Sequence, residues 1–563
     1  MEIKITAYAD DINLILDGSA ESLRASLETF QSFEAISGLH LNKNKTRPFW
    51  FGKHAQDMQI VCPDLDLNWS AEPIEVLGVK IPLNHTADTA DLNYRVKVHK
   101  LREKLERWDY KYLTPYGKTH LVKTEALSQL VYLMTILPKP SKQIARTIET
   151  ILFKFLWGNK RDKIKRATLK SKYKAGGLQV PDICTQADSL KISWIKKFNN
   201  ADNNSKWKSV VKECFTIAND TNIFECRLSP SLIKRSVKSK FWQDVLTAWT
   251  MLKHQSKLDG GKILSEVLWK NCSIDLEKKR VLDRTSLLQK GLKYVGDVYD
   301  TRERRMLTAN EVAIKFEIFP TLALTILRSI PRQWKDLLSR EKPNRYDRFC
   351  SEAVTLESKS AVAKWAYSRL LPDSCPPEKA LIKWKTDLFL SDTFNWSNVF
   401  EHVYALSDNI TLRWLQFRLL HRILPTNKRL ELYGITTSDK CHRCPRQIET
   451  LLHIFWSCPT VNRFWRELSS VFSAEFNTNT VILNLWGGQE TRVPKQSIEM
   501  VMMLAKLYIW RCRSRESHPS VQGLLETVRN QWSIDKYISI VRGTEAKFEA
   551  LWGPMRSVWE NLG

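Results

Sequence analysis

No apolar run in this chain reaches the roughly 18 residues that a membrane-spanning helix needs. The longest candidate, Leu127 to Leu137, reads as a buried helix ended by Pro138 and Pro140. Cysteine is scarce for the length, 11 residues thinly spread through 563, an odd number that argues against a disulfide framework and for a reducing compartment. The first residues show no basic segment leading into an apolar one, so no secretory signal is expected. No glycine-rich phosphate loop, no Ser/His/Asp nucleophile set and no internal repeat stands out. Together these absences point to an intracellular protein, nuclear or cytoplasmic.

Positive charge is abundant. Lys plus Arg number 87 against 61 Asp plus Glu, a net charge of +26 that favours polyanionic partners, since each phosphate neutralised releases condensed counterions. A hydrophobic content of 43% is that of a folded protein, and the length allows three or four domains of about 150 residues.

Near the start, Ile3 to Ala7 alternates apolar and polar residues, Ile12 to Leu16 very nearly does, and Tyr8-Ala9-Asp10-Asp11 lies between them. The period of two predicts a β-hairpin with two carboxylates at its tip. Adjacent like charges repel unless a cation sits between them, so Asp10 and Asp11 are candidate Mg²⁺ ligands for two-metal phosphoryl chemistry; a solvated turn is the alternative. Leu23, Leu27, Phe30 and Phe33 then recur at helical spacing, with Gly38 suited to the helix end. Ser37-Gly38-Leu39-His40-Leu41-Asn42-Lys43-Asn44-Lys45-Thr46 and Val76-Leu77-Gly78-Val79-Lys80 follow.

From Leu92 the texture becomes helical. Leu101, Leu105 and Trp108 mark one face, Tyr112 to Lys118 reads as a turn, Leu121 to Leu137 as a helix, and Ile144, Ile148, Ile151, Leu152 and Phe155 as another amphipathic face. Lys154 to Lys174 then carries nine basic residues and a single acid, Asp162. Either this is a solvated face, or Lys160, Arg161, Lys163, Lys165, Arg166, Lys170, Lys172 and Lys174 form a track for a duplex backbone. Tryptophans scattered at helical spacing from Trp194 to Trp414 are read as core anchors rather than base-stacking platforms. Pro372, Pro376 and Pro377 place a loop or subdomain joint near Ser374.

A second constellation lies toward the C-terminus. Cys441, Cys444, His453 and Cys458 are spaced C-x₂-C-x₈-H-x₄-C. The Cys-x-x-Cys pair can present two thiolates to one ion, and a helical turn or its end brings His453 and Cys458 together, giving a closed tetrahedral and therefore structural Zn²⁺ site. The alternative is free thiols and a core histidine. His442 is a competing imidazole, but one directly beside Cys441 strains the geometry.

The Tyr-Ala-Asp-Asp hairpin, the Ser-Gly-Leu-x-Leu-Asn-x-x-Lys-Thr stretch, the Leu-Gly-Val hairpin, the Leu113-Thr114-x-x-Gly117-Lys118 turn, the Phe155-Leu156-Trp157-Gly158 end, the Gly176-Gly177-Leu178-x-x-Pro181 step and the Cys-Cys-His-Cys module resemble, in order and spacing, the C-terminal portion of LINE-type non-LTR retrotransposon reverse transcriptases. The resemblance implies a palm remnant at 1–85, a thumb with the basic track at 86–198, a helical linker at 199–410, a zinc-binding module at 411–475 and a helical tail at 476–563. It implies RNA-templated DNA synthesis on an RNA template and a DNA primer or target, with deoxynucleotides as substrates, Asp10 and Asp11 holding catalytic Mg²⁺, and Lys45 as a proton donor or phosphate contact. In that family a further palm aspartate and the nucleotide-holding fingers precede the hairpin, so residues 1–563 alone are expected not to polymerise. A non-catalytic RNA- or DNA-binding remnant is the alternative, and a group II intron maturase a third. The expected fold class is α+β, predominantly helical.

Overall fold

The computed structural model describes residues 5–8, 11–50, 61–65, 67–69, 73–82, 88–109, 112–200, 205–215, 223–274, 284–372, 375–487 and 493–556. Among the described residues helix predominates, and the strands form three separate two-stranded antiparallel pairs. No helix among the described residues is long and apolar enough to cross a membrane. The chain divides into two compact units, each assembled from non-contiguous stretches. One comprises 1–103, 127–149 and 182–372, the other 104–126, 150–181 and 373–563. One division falls after Pro372; Ser374, near which a proline-rich joint is expected, lies outside the described residues.

In the first unit, strands Ile5–Tyr8 and Asp11–Leu14 form the expected hairpin, with Tyr8 opposite Asp11 and Ile5 opposite Leu14. Helix Ala20–Ser37 follows. Ser19 caps it by accepting from Ser22 N, and Gly38 ends it at φ 71°, where its N–H reaches Glu34 O. This glycine is required by its left-handed conformation. The helix buries none of its side chains.

A second hairpin pairs Ile74–Val76 with Val79–Ile81 around Leu77-Gly78, both with positive φ, the turn whose twist suits a tight hairpin. Its exposed backbone is tied down. Asn93 bonds Lys80 N and O at 2.8 and 2.7 Å, and Tyr132 donates to Leu77 O at 2.6 Å.

The core of this unit gathers around helices Ile183–Asn199, Lys240–Gln255 and Lys359–Leu370, with Trp249, Phe224 and Leu252 fully enclosed. Of the tryptophans expected as anchors here, Trp242, Trp249, Trp269 and Trp334 are buried. Lys191 is enclosed as well, and its ammonium donates to the carbonyls of Met134 and Leu137, which lack helical partners at the end of Ser128–Ile136.

The second unit packs helices Ile410–Leu420, Pro459–Phe472, Lys495–Ser514 and Val521–Arg542 around Trp384, Phe455, Trp465, Met502 and Leu524. A smaller apolar cluster joins Tyr116, Phe153, Trp157, Ile164, Leu169, Leu178 and Val180 to Phe417. The segment expected as a turn over Tyr112 to Lys118 differs. Only its start is a turn, because Thr114 accepts from Gly117 N and Pro115 occupies the first helical position, where a missing N–H costs nothing. Helix Pro115–Leu121 results, and its Lys118 is buried between Asp109 (2.9 Å) and Phe155 O (2.8 Å).

Candidate metal centre

Two local devices bring the four ligands together. The first is a short reversal after Lys440. Cys441 N donates to Gln447 O, Gln447 N donates back to Cys444 O at 3.1 Å, and Lys440 bridges Ile448, so the two thiols of the Cys-x-x-Cys pair sit on one tight loop. The second is a π-type turn over His453–Ser457, in which Cys458 N–H reaches His453 O at 3.1 Å. A spacing of five suits that wider turn, and Pro459 then starts helix Pro459–Phe472, where no donor is missed.

One ligand atom from each of Cys441, Cys444, His453 and Cys458 lies within 4.8 Å of every other. His453 Nε2 is 3.0 Å from Cys444 Sγ, and Cys458 Sγ is 3.7 Å from Cys444 Sγ. An edge of a tetrahedron with metal–sulfur bonds of about 2.3 Å is roughly 3.8 Å long, so this sulfur pair is spaced for one Zn²⁺. Three sulfurs and one imidazole complete a tetrahedron and leave no position for water or substrate. The residues therefore fit a structural zinc ion, which would fix the loop and the turn to each other. Cys441, His453 and Cys458 are buried, which limits hydrolysis and ligand exchange at the site.

The thiols influence one another strongly. The Cys441 thiol beside Cys458 is the main cause that holds Cys458 well below the usual thiol range, against the opposing effect of burial. Cys444 is pushed up, first by burial.

Around the ligands lies a polar shell that the sequence did not announce. Glu449, fully buried, accepts from Asn427 N at 2.8 Å and from Arg513 Nη2 at 2.6 Å. Arg443, inside the Cys-x-x-Cys loop, donates to Ile509 O at 2.8 Å. Both contacts fasten the ligand loop to helix Lys495–Ser514. The signal that could have found Glu449 is a lone acid in the apolar run leading to Leu451 and Leu452. His442, the competing imidazole, groups with Cys441 and Glu449 and not with the other three ligands.

The other sequence-derived candidates lie in different surroundings. Asp11 is exposed at the start of its strand, and Asp10 lies outside the described residues. Lys45 is exposed, and its N–H donates to the carbonyl of Asn42, which also receives Thr46, so this stretch is a turn built on Asn42. Of the basic segment, Lys160, Arg161, Lys163, Lys165, Lys172 and Lys174 are exposed, whereas Arg166 pairs with Asp162 at 2.8 Å and Lys170 is half-buried. Between these charges Ile164 and Leu169 point into the apolar cluster, so the run is one face of a packed element. Its far end is closed by Gly176 and Gly177. A side chain at Gly177 would meet Ser171 O at 1.9 Å, and one at Gly176, where φ is 79°, would meet the Phe400 ring at 2.9 Å.

His421 lies beneath this corner. Its Nε2–H donates to Gly176 O at 2.8 Å, and burial pushes its pKa down to about 4. Gln416, one turn back, donates to Ile482 O at 2.9 Å and accepts from the enclosed Lys506 at 2.6 Å.

The arrangement is that of a helical unit whose Cys441, Cys444, His453 and Cys458 fit one closed, structural zinc ion. Residues 384–465 match the family model described as zinc-binding in reverse transcriptase. The matched stretch begins and ends on two enclosed tryptophans, Trp384, whose indole donates to Leu420 O at 2.9 Å, and Trp465, whose indole donates to Phe455 O at 2.8 Å. The chain thus contains a reverse-transcriptase-associated region, and the Cys441, Cys444, His453, Cys458 cluster within it supports structural Zn²⁺.

Proposed function

We propose that this chain is part of a LINE-type RNA-directed DNA polymerase and contributes grip on an RNA template and its DNA primer. The observation that carries the reading is the closed Cys₃His set inside a stretch matched to a zinc-binding region of reverse transcriptases. Further support is the Tyr8-Ala9-Asp10-Asp11 sequence on a hairpin whose Tyr8 and Asp11 pair, the Leu77-Gly78 hairpin held by Asn93 and Tyr132, and the exposed basic run. In this reading Asp10 and Asp11 hold Mg²⁺ when the palm is complete, and the zinc holds the C-terminal region in shape and does no chemistry. Lysines and arginines along 160–174 contact phosphates, which position a duplex without reading its sequence.

The test is equilibrium binding of the zinc-loaded chain to labelled RNA–DNA hybrids of several unrelated sequences across a salt range. Affinity that is nearly independent of sequence and falls steeply with salt is the expected result. Absence of binding to hybrid and duplex at low salt would overturn the reading.

A further inference from the structure

The basic run gains partners that no linear motif announces. Ile164 and Phe417 are packed in the same apolar cluster, which brings Lys163 and Arg418 into one neighbourhood although they are far apart in sequence. Arg429 is brought to the same place by its hydrogen bond to the carbonyl of Arg422, one turn beyond Arg418, and Tyr433 OH lies 3.3 Å from its Nη2. Partial burial first, and then the charges of Lys160, Arg418 and Arg429, all positive, push the pKa of Lys163 down. No carboxylate of the described residues is among them.

Arg418 is the centre of this group. Its guanidinium stands over Trp414 at 5.5 Å and Trp510 at 5.9 Å, which fixes its plane. Its Nε is buried and has no hydrogen-bond partner among the described residues. Burial pushes its pKa down to about 10, so the charge is held at a cost. Arg422, by comparison, has Asp387 at 2.8 Å. Lys163 thus faces three cations and, among the described residues, no carboxylate, and the neighbouring Arg418 holds an unused buried donor, an arrangement that an anion would relieve.

We propose that Lys160, Lys163, Arg418 and Arg429 form a cradle for a backbone phosphate of a nucleic acid. The inference rests on the proposed nucleic-acid grip and assigns it a specific place. Phosphate suits the donors, since a guanidinium offers a planar fork and two ammonium groups can reach the remaining oxygens. A polymer is favoured over a single anion because Arg161, Lys165, Lys172 and Lys174 continue the positive face with exposed side chains, as a chain of regularly spaced phosphates requires.

The test compares salt titrations of a labelled DNA duplex with the full zinc-loaded chain and two double variants, Lys160→Ala/Lys163→Ala in the cradle and Lys536→Ala/Lys547→Ala outside the basic run. All four lysines are exposed, so both variants should fold, unlike Arg418→Ala, which strips a packed side chain. If the cradle holds one phosphate, the first variant lowers the log–log salt slope by about 0.9, the equivalent of that phosphate, and the second by distinctly less. Arg429→Ala should act like the first. Equal effects of the two pairs would overturn the cradle and leave a diffuse basic face, with the nucleic-acid reading intact. Wild-type chain that binds neither duplex nor RNA–DNA hybrid at low salt would overturn that reading itself. Tripolyphosphate and polyglutamate serve as competitors. Occupancy by tripolyphosphate without duplex binding would make this a free-polyphosphate site, and displacement of duplex by polyglutamate at equal charge concentration would reduce it to plain ion exchange.

Discussion

One oxygen of Glu449 accepts from both Nε and Nη2 of Arg513, at 3.0 and 2.6 Å, inside the second unit and beside the metal ligands. Glu449 has no solvent exposure and Arg513 very little, so the pair is an interior ion pair. Removing one partner strands the other without water. Glu449→Gln is therefore expected to destabilise this unit by about 3 kcal/mol or more. Urea unfolding followed by tryptophan fluorescence measures it, and a loss within error of zero would mean that water reaches Arg513.

Zinc content is the second expectation. The purified chain should carry one equivalent, and Cys444→Ser should lose it and expose the apolar interior around Phe455 and Trp465, because ion binding and folding share one free energy. Metal analysis with dye binding tests both halves. Carefully prepared wild-type protein without metal would count against the site.

The third concerns pH. His421 is held neutral by burial, with its folded pKa at about 4 against about 6.5 when unfolded. Its contribution to stability is then fully present above about pH 6.5 and is lost as pH falls toward 4, because the unfolded chain binds the proton first. The loss is on the order of 3 kcal/mol. His421→Gln should flatten the stability profile between pH 6.5 and 4, and an unchanged slope would assign the acid sensitivity elsewhere.

The fourth concerns space. Gly177 does not need an unusual φ; it needs the absence of a side chain beside Ser171 O. Gly177→Ala should cost more than about 2 kcal/mol, and Gly487→Ala, with open space around it, close to nothing. Thermal denaturation of the two variants separates them.

The zinc set was readable from spacing alone, since metal ligands in a knuckle must be close in sequence to share a tight loop. Helix positions were likewise legible where apolar residues recur, as at Ile144, Ile148 and Leu152, all buried. Thr114-Pro115 was misread as the middle of a turn because Pro signals both a turn and a helix start, and only the cap contact to Gly117 decides between them. Glu449, Arg513 and Asn427 meet across stretches of chain with no periodic signature, so no local pattern could link them. The same holds for Lys163 and Arg418, joined through Ile164 and Phe417.

All four zinc ligands lie between Cys441 and Cys458, upstream of the helices that cover them. Closing so short a loop costs little entropy and takes well under a millisecond, whereas docking of Lys495–Ser514 needs distant segments to meet. The ligand loop and turn are therefore expected to close on an ion before the covering helices dock. In refolding with Zn²⁺ present, amide protection over 441–458 should appear before that over 495–514, and chelator added after the second event should strip the metal far more slowly than chelator added before it.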